Sequence, residues 1–400
     1  MRHLLLAGVL LLFFCQWQVA MPPEAADQYA RWFVAPSSAL TDSLKSYKCF
    51  AAAQDSLAQV ARKAHEGRCG VFTAILEDTF HSAYTLGWKT PAAIRRDTLY
   101  PLIVYLHGGT GTSKTTKGEI AYDMLSSLGD TFNLFLASPS ANRETPWWSP
   151  GGMSRVLQTV RFMTLCYPVN PDKIFLAGVS DGATGCYLAA NTVCAPFAGF
   201  IAVSGYGAML YSFGIKLHPQ NLMQRPILNI NAGNDRIYPF AEVMKFVAWL
   251  ENNGVPVEHR EYPEENHGFD YREKEYGNLA RLIRTWTRPE AQRSVSWTFV
   301  PGFPNVPPNC ITWEIASGTE EPAIKAFWKD DTLQVSTKGL KSALLTFPQK
   351  QNAAIFVSVN GSRPKSVRPA AADAGLALAF ALHQLLPQAA HQAAYRITVP

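Results

Sequence analysis

Lys173–Asn191 reads KIFLAGVSDGATGCYLAAN. An apolar run ends at Gly178-Val179-Ser180-Asp181-Gly182, and an alanine-rich stretch follows. This order predicts a buried strand, a sharp turn and a helix, with Ser180 at the tip of the turn. Gly178 and Gly182 fall where side chains would crowd so tight a bend. A serine held there has its hydroxyl exposed beside the amides of a helix N-terminus. Glycine and serine also share ordinary bends, so the reading depends on what the rest of the chain supplies.

Working outward, short apolar runs recur on both sides. Tyr100–Leu106, Phe132–Ser138, Lys173–Gly178, Gly199–Ser204 and Pro226–Ala232 read as strands buried on both faces, as parallel strands are. Val257–Tyr262 completes the series. Helical stretches at Met153–Leu165, Ala183–Thr192, Phe240–Asn253 and Glu275–Trp286 alternate with them. This rhythm predicts a three-layer α/β domain over residues 99–290. Residues 21–98 read as a mostly helical lead-in that packs on this core. Ser43–Ala64 is its best helix, and one or two strands fall near Cys69–Ile75. After Trp286 the character changes. Prolines 301, 304, 307 and 308 mark a junction, and short strands follow at Ser296–Val300, Cys310–Ile315, Ala323–Lys329, Thr332–Ser336, Ala343–Phe347, Ala354–Val359 and Tyr395–Val399. Asn360-Gly361 is a hairpin turn signal. A β-rich C-terminal domain is expected over 296–400, with Ala370–Ala390 as a helix inside it.

The 400 residues are 48% hydrophobic and 17% charged, which excludes a disordered chain. The formal charge of +5 is spread out, with no long Lys/Arg block, so nucleic-acid binding is not indicated. MRHLLLAGVLLLFFCQWQVA places a basic residue before a short apolar run. That is the form of a signal peptide over residues 1–20, and it predicts an exported protein. A retained anchor is the rival reading. Beyond it lie Cys49, Cys69, Cys166, Cys186, Cys194 and Cys310, an even count that suits disulfides in an exported chain. Cys49–Cys69 and Cys186–Cys194 are the local candidates. No cysteine pair has zinc-site spacing. Asn360-Gly361-Ser362 fits a glycosylation acceptor.

A nucleophilic serine needs a base, an orienter for the base, and donors for an oxyanion. Asp235 follows the strand Pro226–Ala232, and His267 follows Val257–Tyr262, so both fall in loops directly after strands. Glu264 and Glu265 are alternative acids. His259, inside a strand, and His81 and His218 are weaker bases by context. His107-Gly108-Gly109 follows the first strong strand. The amides of Gly109 or Thr110, with that of Asp181, are the candidate oxyanion donors. His107 itself reads as structural. GGTGTSK ends in a lysine but departs from the phosphate-loop spacing. Trp147 and Trp148, on a post-strand loop, and Tyr206, in a cap-like stretch between Ser204 and Pro226, are candidate pocket walls. The chemistry needs no metal or cofactor.

YPLIVYLHGG, KIFLAGVSDGATG, NINAGNDRIYP and PEENHGF occur in an order that resembles the α/β-hydrolase superfamily, over about Tyr100 to Trp286. The stretch from Pro226 to Phe269 looks like the catalytic end of its prolyl-oligopeptidase-like branch. The serine region is more similar to exported carboxylesterases of the polyhydroxybutyrate-depolymerase and feruloyl-esterase type. The resemblance implies that Ser180, Asp235 and His267 form a triad, with Gly109 and Asp181 supplying oxyanion amides. Gly233-Asn234-Asp235 is one residue shorter than the branch pattern, and Ala183 stands where many relatives carry glycine. The N-terminal part shows no repeat of the kind that builds a β-propeller. The leading expectation is an exported serine hydrolase of carboxylic esters, acting on a small-molecule or polymeric acyl ester, with contact to a polysaccharide or polymer surface. Its alternatives are a prolyl-oligopeptidase-like peptidase and an idle hydrolase fold used for binding.

Overall fold

In the computed structural model of the protein, the described residues are 28–29, 31–33, 38–46, 68–95, 97–110, 125–289, 293–347, 353–371, 376, 379 and 393–399. The signal-peptide expectation at residues 1–20, most of the helix expected over Ser43–Ala64 and most of that over Ala370–Ala390 lie outside them. Among the described residues no helix is long and apolar enough to cross a membrane.

Eight strands form the central sheet: β1 (Val71–Glu77), β2 (Ala83–Lys89), β3 (Tyr100–Leu106), β4 (Phe135–Pro139), β5 (Val169–Val179), β6 (Gly199–Val203), β7 (Ile227–Ala232) and β8 (Val257–Tyr262). Their spatial order is β1-β2-β4-β3-β5-β6-β7-β8. From β4 to β8 neighbours run parallel. The β1–β2 hairpin is antiparallel within itself, and β2 is antiparallel to β4. Residues 71–89, read from sequence within the lead-in, thus extend the sheet by two strands.

The two-residue period of the strands sorts their side chains onto two faces. Leu102, Val104 and Leu106 of β3 and Ile174 and Leu176 of β5 face one core, with helices α3 (Pro150–Cys166) and α4 (Asp181–Thr192). Ile103, Tyr105, Phe175 and Ala177 face the other, with Leu128 of α2 (Ser126–Phe132) and Leu279, Leu282 and Ile283 of α8 (Arg272–Thr285). α1 (Ser38–Ser46) adds Leu44 to the first core. α5 (Met209–Ser212) and α6 (Pro219–Leu222) are single turns between β6 and β7, and α7 (Phe240–Asn252) follows β7. This is the three-layer α/β-hydrolase architecture expected from the sequence.

The β-rich C-terminal region is also present. β9 (Ser294–Thr298), β11 (Ala323–Lys329), β12 (Thr332–Lys338), β14 (Ile355–Val359) and β15 (Lys365–Val367) make one sheet. β10 (Cys310–Ile315), β13 (Leu340–Thr346) and β16 (Ala394–Thr398) make a second. Asn360 and Gly361 both adopt positive φ between β14 and β15, as a tight hairpin requires. Val335, Val357, Leu345 and Ile397 join the same apolar cluster as α3 and α4. Polar contacts tie the two parts together: Val306 N–H donates to Thr192 O (2.7 Å), and Asn221 Nδ2 donates to Thr298 O (2.7 Å).

The expected disulfides are not formed. Cys69 is exposed and Cys166, Cys186, Cys194 and Cys310 are buried, with no disulfide among them, while Cys49 lies outside the described residues. Cys186 lies within α4 and Cys194 just beyond its end. Eight residues of helix rise about 12 Å, whereas a disulfide needs Cα atoms within about 7 Å. The Cys186 thiol points into the sheet, toward Leu176 O and Ile201 O. Burial holds its pKa well above the usual thiol value and pushes that of Cys194 up to about 12, so both are inert core groups.

Candidate active site

Parallel strands deliver their C-terminal ends to one edge of the sheet, and the loops there carry the predicted residues. Ser180 stands between β5 and α4 with φ 55° and ψ −117°, a conformation that costs a non-glycine residue about 1–3 kcal/mol. Neighbours hold it there. Its N–H donates to Val203 O (2.9 Å) and its carbonyl accepts from Thr184 N (3.1 Å). The flanking glycines are demanded by space. A Cβ on Gly182 would lie 2.0 Å from Leu106 O, and one on Gly178 would lie 2.4 Å from the Gly182 backbone. The β3 loop comes equally close, since a Cβ on Gly108 would meet the Ser180 Cβ at 3.0 Å.

Asp235 follows β7 and is 6% exposed. Its Oδ1 accepts from the N–H groups of Ile237 (2.8 Å) and Tyr238 (2.9 Å), which fixes the carboxylate plane. Its Oδ2 lies 2.7 Å from His267 Nδ1. His267 Nε2 lies 2.8 Å from Ser180 Oγ. A carboxylate only accepts, so Nδ1 carries the proton and Nε2 is left as the acceptor facing the serine. The His267 loop is anchored at both sides. Gly268 N–H donates to Ser204 Oγ (3.1 Å), and Asn234 N–H donates to Glu265 O (3.0 Å). Residues 87 and 32 positions apart in the chain therefore form one continuous chain of hydrogen bonds.

The other candidate histidines and acids among the described residues take other places, and His218 stands just before α6. His107 is 4% exposed, with Nδ1 2.8 Å from Gly108 O and Nε2 accepting from Ala141 N–H (3.0 Å). These partners make it a neutral structural ring. His259 lies in β8, against Asn229 (3.0 Å). His81 pairs with Glu77 on the surface. Glu264 is exposed, and Glu265 pairs with Lys274 (2.6 Å).

The oxyanion expectation is altered at Thr110. Its N–H (2.7 Å) and its hydroxyl (2.9 Å) both donate to Asp181 Oδ2, so that amide is already taken. Asp181 N–H opens α4, where no intrahelical acceptor exists. Gly109 adopts φ 67° beside it.

The pocket expectations divide. Trp147 is fully buried, with Nε1 donating to His107 O (2.8 Å) and its ring against the His107 ring, so it belongs to the core beneath the loop. Trp148 is half-buried and stacks on Phe213 of the cap stretch, with ring centres 4.7 Å apart. Tyr206 is half-buried between Tyr238 and Phe246. Tyr238 is a site residue that sequence reasoning does not single out. It is 7% exposed and its ring meets the His267 ring edge-on at 5.4 Å. Its place three residues after Asp235 is the one signal the sequence offers. Among the described residues, no three His, Cys, Asp or Glu side chains converge as a metal site.

With this geometry in hand, known proteins give a partial likeness. The prolyl oligopeptidase family model matches residues 215–292. No curated protein matches the chain. Among solved structures, the chain is similar to a thermostable esterase (18% identity, TM-score 0.45, 55% of this chain and 63% of that one). It is also similar to an acylaminoacyl peptidase of Pyrococcus horikoshii (15%, 0.44, 56% and 43%). A ferulic acid esterase gives 16% identity and a TM-score of 0.44, over 54% of this chain and 99% of that one. The chain thus spans under two thirds of the first two. The class defined by fold and site geometry is an α/β-hydrolase fold with a Ser–His–Asp arrangement at the strand ends.

Proposed function

We propose that the protein is a serine hydrolase that cleaves acyl bonds through a covalent intermediate on Ser180. The observation that carries this is the hydrogen-bond chain Ser180 Oγ–His267 Nε2–Asp235 Oδ2, at 2.8 and 2.7 Å. Ser180 Oγ attacks the carbonyl carbon while its proton passes to His267 Nε2. The Asp235 carboxylate holds the ring and stabilises the imidazolium. The carbonyl oxygen becomes an oxyanion, for which the Asp181 N–H at the start of α4 is the proposed donor. Collapse expels the leaving amine or alcohol, which takes the proton from His267. Water then attacks the acyl-enzyme with His267 again as base, and the acid is released.

The match to the prolyl oligopeptidase family spans both Asp235 and His267, and it supports a peptide or acyl-amide substrate over the ester first expected. Ester cleavage remains the second reading, because the same attack by Ser180 on an ester carbonyl expels an alcohol, and the stacked Trp148 and Phe213 are proposed as the wall for its acyl group. A contact with polysaccharide or polymer through the C-terminal region belongs to that second reading. The test is labelling with a fluorophosphonate probe, which should modify the wild type and leave Ser180→Ala unmodified. Equal labelling of both, or of neither, would sink the proposal. Peptidyl p-nitroanilides run beside p-nitrophenyl acyl esters then decide between the two substrate classes.

A further inference from the structure

The residue after the nucleophile is used twice. Its backbone opens α4, and its side chain makes contacts that no oxyanion role requires. Asp181 Oδ2 accepts from Thr110 N–H (2.7 Å) and from the Thr110 hydroxyl (2.9 Å), while Oδ1 faces the Tyr238 hydroxyl at 3.4 Å. These partners come from the loop after β3 and the loop after β7, 71 and 57 positions away in sequence. The carboxylate therefore joins three of the loops that build the site. It does not serve as the acid of the base: His267 Nδ1 faces Asp235, at 2.7 Å.

We propose that Asp181 is a positioning residue, with Tyr238 as its second arm. Together they hold the β3 loop and the acid loop in register with Ser180, and they press the Tyr238 ring against His267. The inference rests on the serine-hydrolase reading above. Three features support it. Thr110 is fully buried and Tyr238 nearly so, which makes the contacts hard to replace by water. A Cβ on Gly108 would lie 3.0 Å from the Ser180 Cβ, and Thr110 directly follows that Gly108-Gly109 segment. Lastly, burial and the Asp181 charge hold the Tyr238 phenol above its usual pKa, so it stays a donor, and it also interacts with the Ser180 side chain.

The Oδ1 contact is long for a hydroxyl–carboxylate bond, whose usual distance is about 2.5–2.7 Å. The same hydroxyl also interacts with the Thr184 and Ser180 side chains, so Tyr238 is shared between the Asp181 carboxylate and the nucleophile. A residue that holds the reacting groups in place without touching substrate lowers kcat when lost and leaves KM nearly unchanged. A purely structural contact would act on stability instead.

The experiment compares wild type, Asp181→Asn, Tyr238→Phe and the double variant, in kcat and KM on one p-nitrophenyl ester and in thermal midpoint. Loss of the carboxylate is expected to lower kcat about 10–100-fold, and loss of the phenol hydroxyl about 3–10-fold, with KM within about threefold. Because the two act through one contact, the double variant should be no slower than Asp181→Asn by more than about twofold. Unchanged kcat in the single variants, or effects that multiply, would overturn the inference. If Asp181→Asn does not fold, Tyr238→Phe removes one arm and Thr110→Val removes the hydroxyl half of the other, and full kcat in the variant that combines these two would overturn it equally. A wild type that neither labels with fluorophosphonate nor turns over refutes the hydrolase reading itself. One that labels and turns over beside unaffected variants refutes only this step.

Discussion

Replacing Asp235 by asparagine tests the site at its most determinate point. The wild-type carboxylate divides its work between two oxygens. Oδ1 accepts from two backbone N–H groups, at 2.8 and 2.9 Å, and Oδ2 accepts from His267 at 2.7 Å. An asparagine has one acceptor oxygen, and the two N–H groups claim it. Its NH₂ group must then face His267 Nδ1, which can only become the acceptor. The ring proton moves to Nε2 and points at Ser180 Oγ, so the serine loses its base. A carboxamide in the equivalent place of a triad lowers kcat by about 10⁴-fold, or about 5.5 kcal/mol at the transition state. Folding should hardly change, because both backbone donors keep their partner. Asp235→Ala separates the two effects. It also strands the Tyr238 donor, which is buried, at about 1–3 kcal/mol, whereas the Ile237 donor belongs to an exposed residue and can turn to water. The assay is kcat on a p-nitrophenyl ester at neutral pH, beside urea unfolding of both variants. An Asp235→Asn enzyme within tenfold of wild type would refute the assignment of the acid. Equal stability of the two variants would refute the division of labour between its oxygens.

Gly182→Ala should abolish labelling of Ser180 and destabilise the fold by at least about 1–3 kcal/mol, since the added methyl meets the Leu106 carbonyl inside a paired central strand. Normal urea unfolding of that variant would be the contrary result. Asp78→Asn leaves Arg155, only 1% exposed, without its ion-pair partner at 2.9 Å, and should cost about 3–5 kcal/mol in urea unfolding. No loss there would mean that the β1–β2 hairpin is held to α3 by other contacts. Burial lowers the pKa of His218 and of His259, whose Nε2 is buried with no hydrogen-bond partner among the described residues. Below the unfolded value of about 6.5 the unfolded chain binds more protons than the folded one, so stability should fall from pH 8 to pH 5. His218→Gln with His259→Gln should flatten that slope. The window lies clear of Asp270, whose pKa is held at about 2 by Arg272. Stability that rises toward pH 5 would contradict the sign.

What could be read in advance followed the strength of the local signal. β3, β6 and β7 are buried along almost their whole length, so their apolar runs announced themselves. β1 alternates exposed and half-buried positions at the sheet edge, and β2 carries Thr85 and Gly87, so that hairpin blurred into the lead-in. Trp147 and Trp148 are neighbours with opposite fates, and nothing in the chain order tells which turns inward. The cysteines misled because closeness in sequence is not closeness in space once a helix runs between them. The loops bearing Ser180, Asp235 and His267 were legible because each follows a strand, and a parallel sheet brings strand ends together whatever their separation in the chain. Side-chain traffic between those loops was not. A Gly-x-Ser-x-Gly pattern describes the x positions as free, yet here the second x is an aspartate whose carboxylate takes the Thr110 amide and faces a tyrosine from the acid loop. That contact depends on three backbones meeting at angles that only the folded sheet sets. A scaffold shared by many chemistries is distinguished by such side chains rather than by its strands. What is particular to this site is therefore carried by Asp181, Thr110 and Tyr238 as much as by the serine between its glycines.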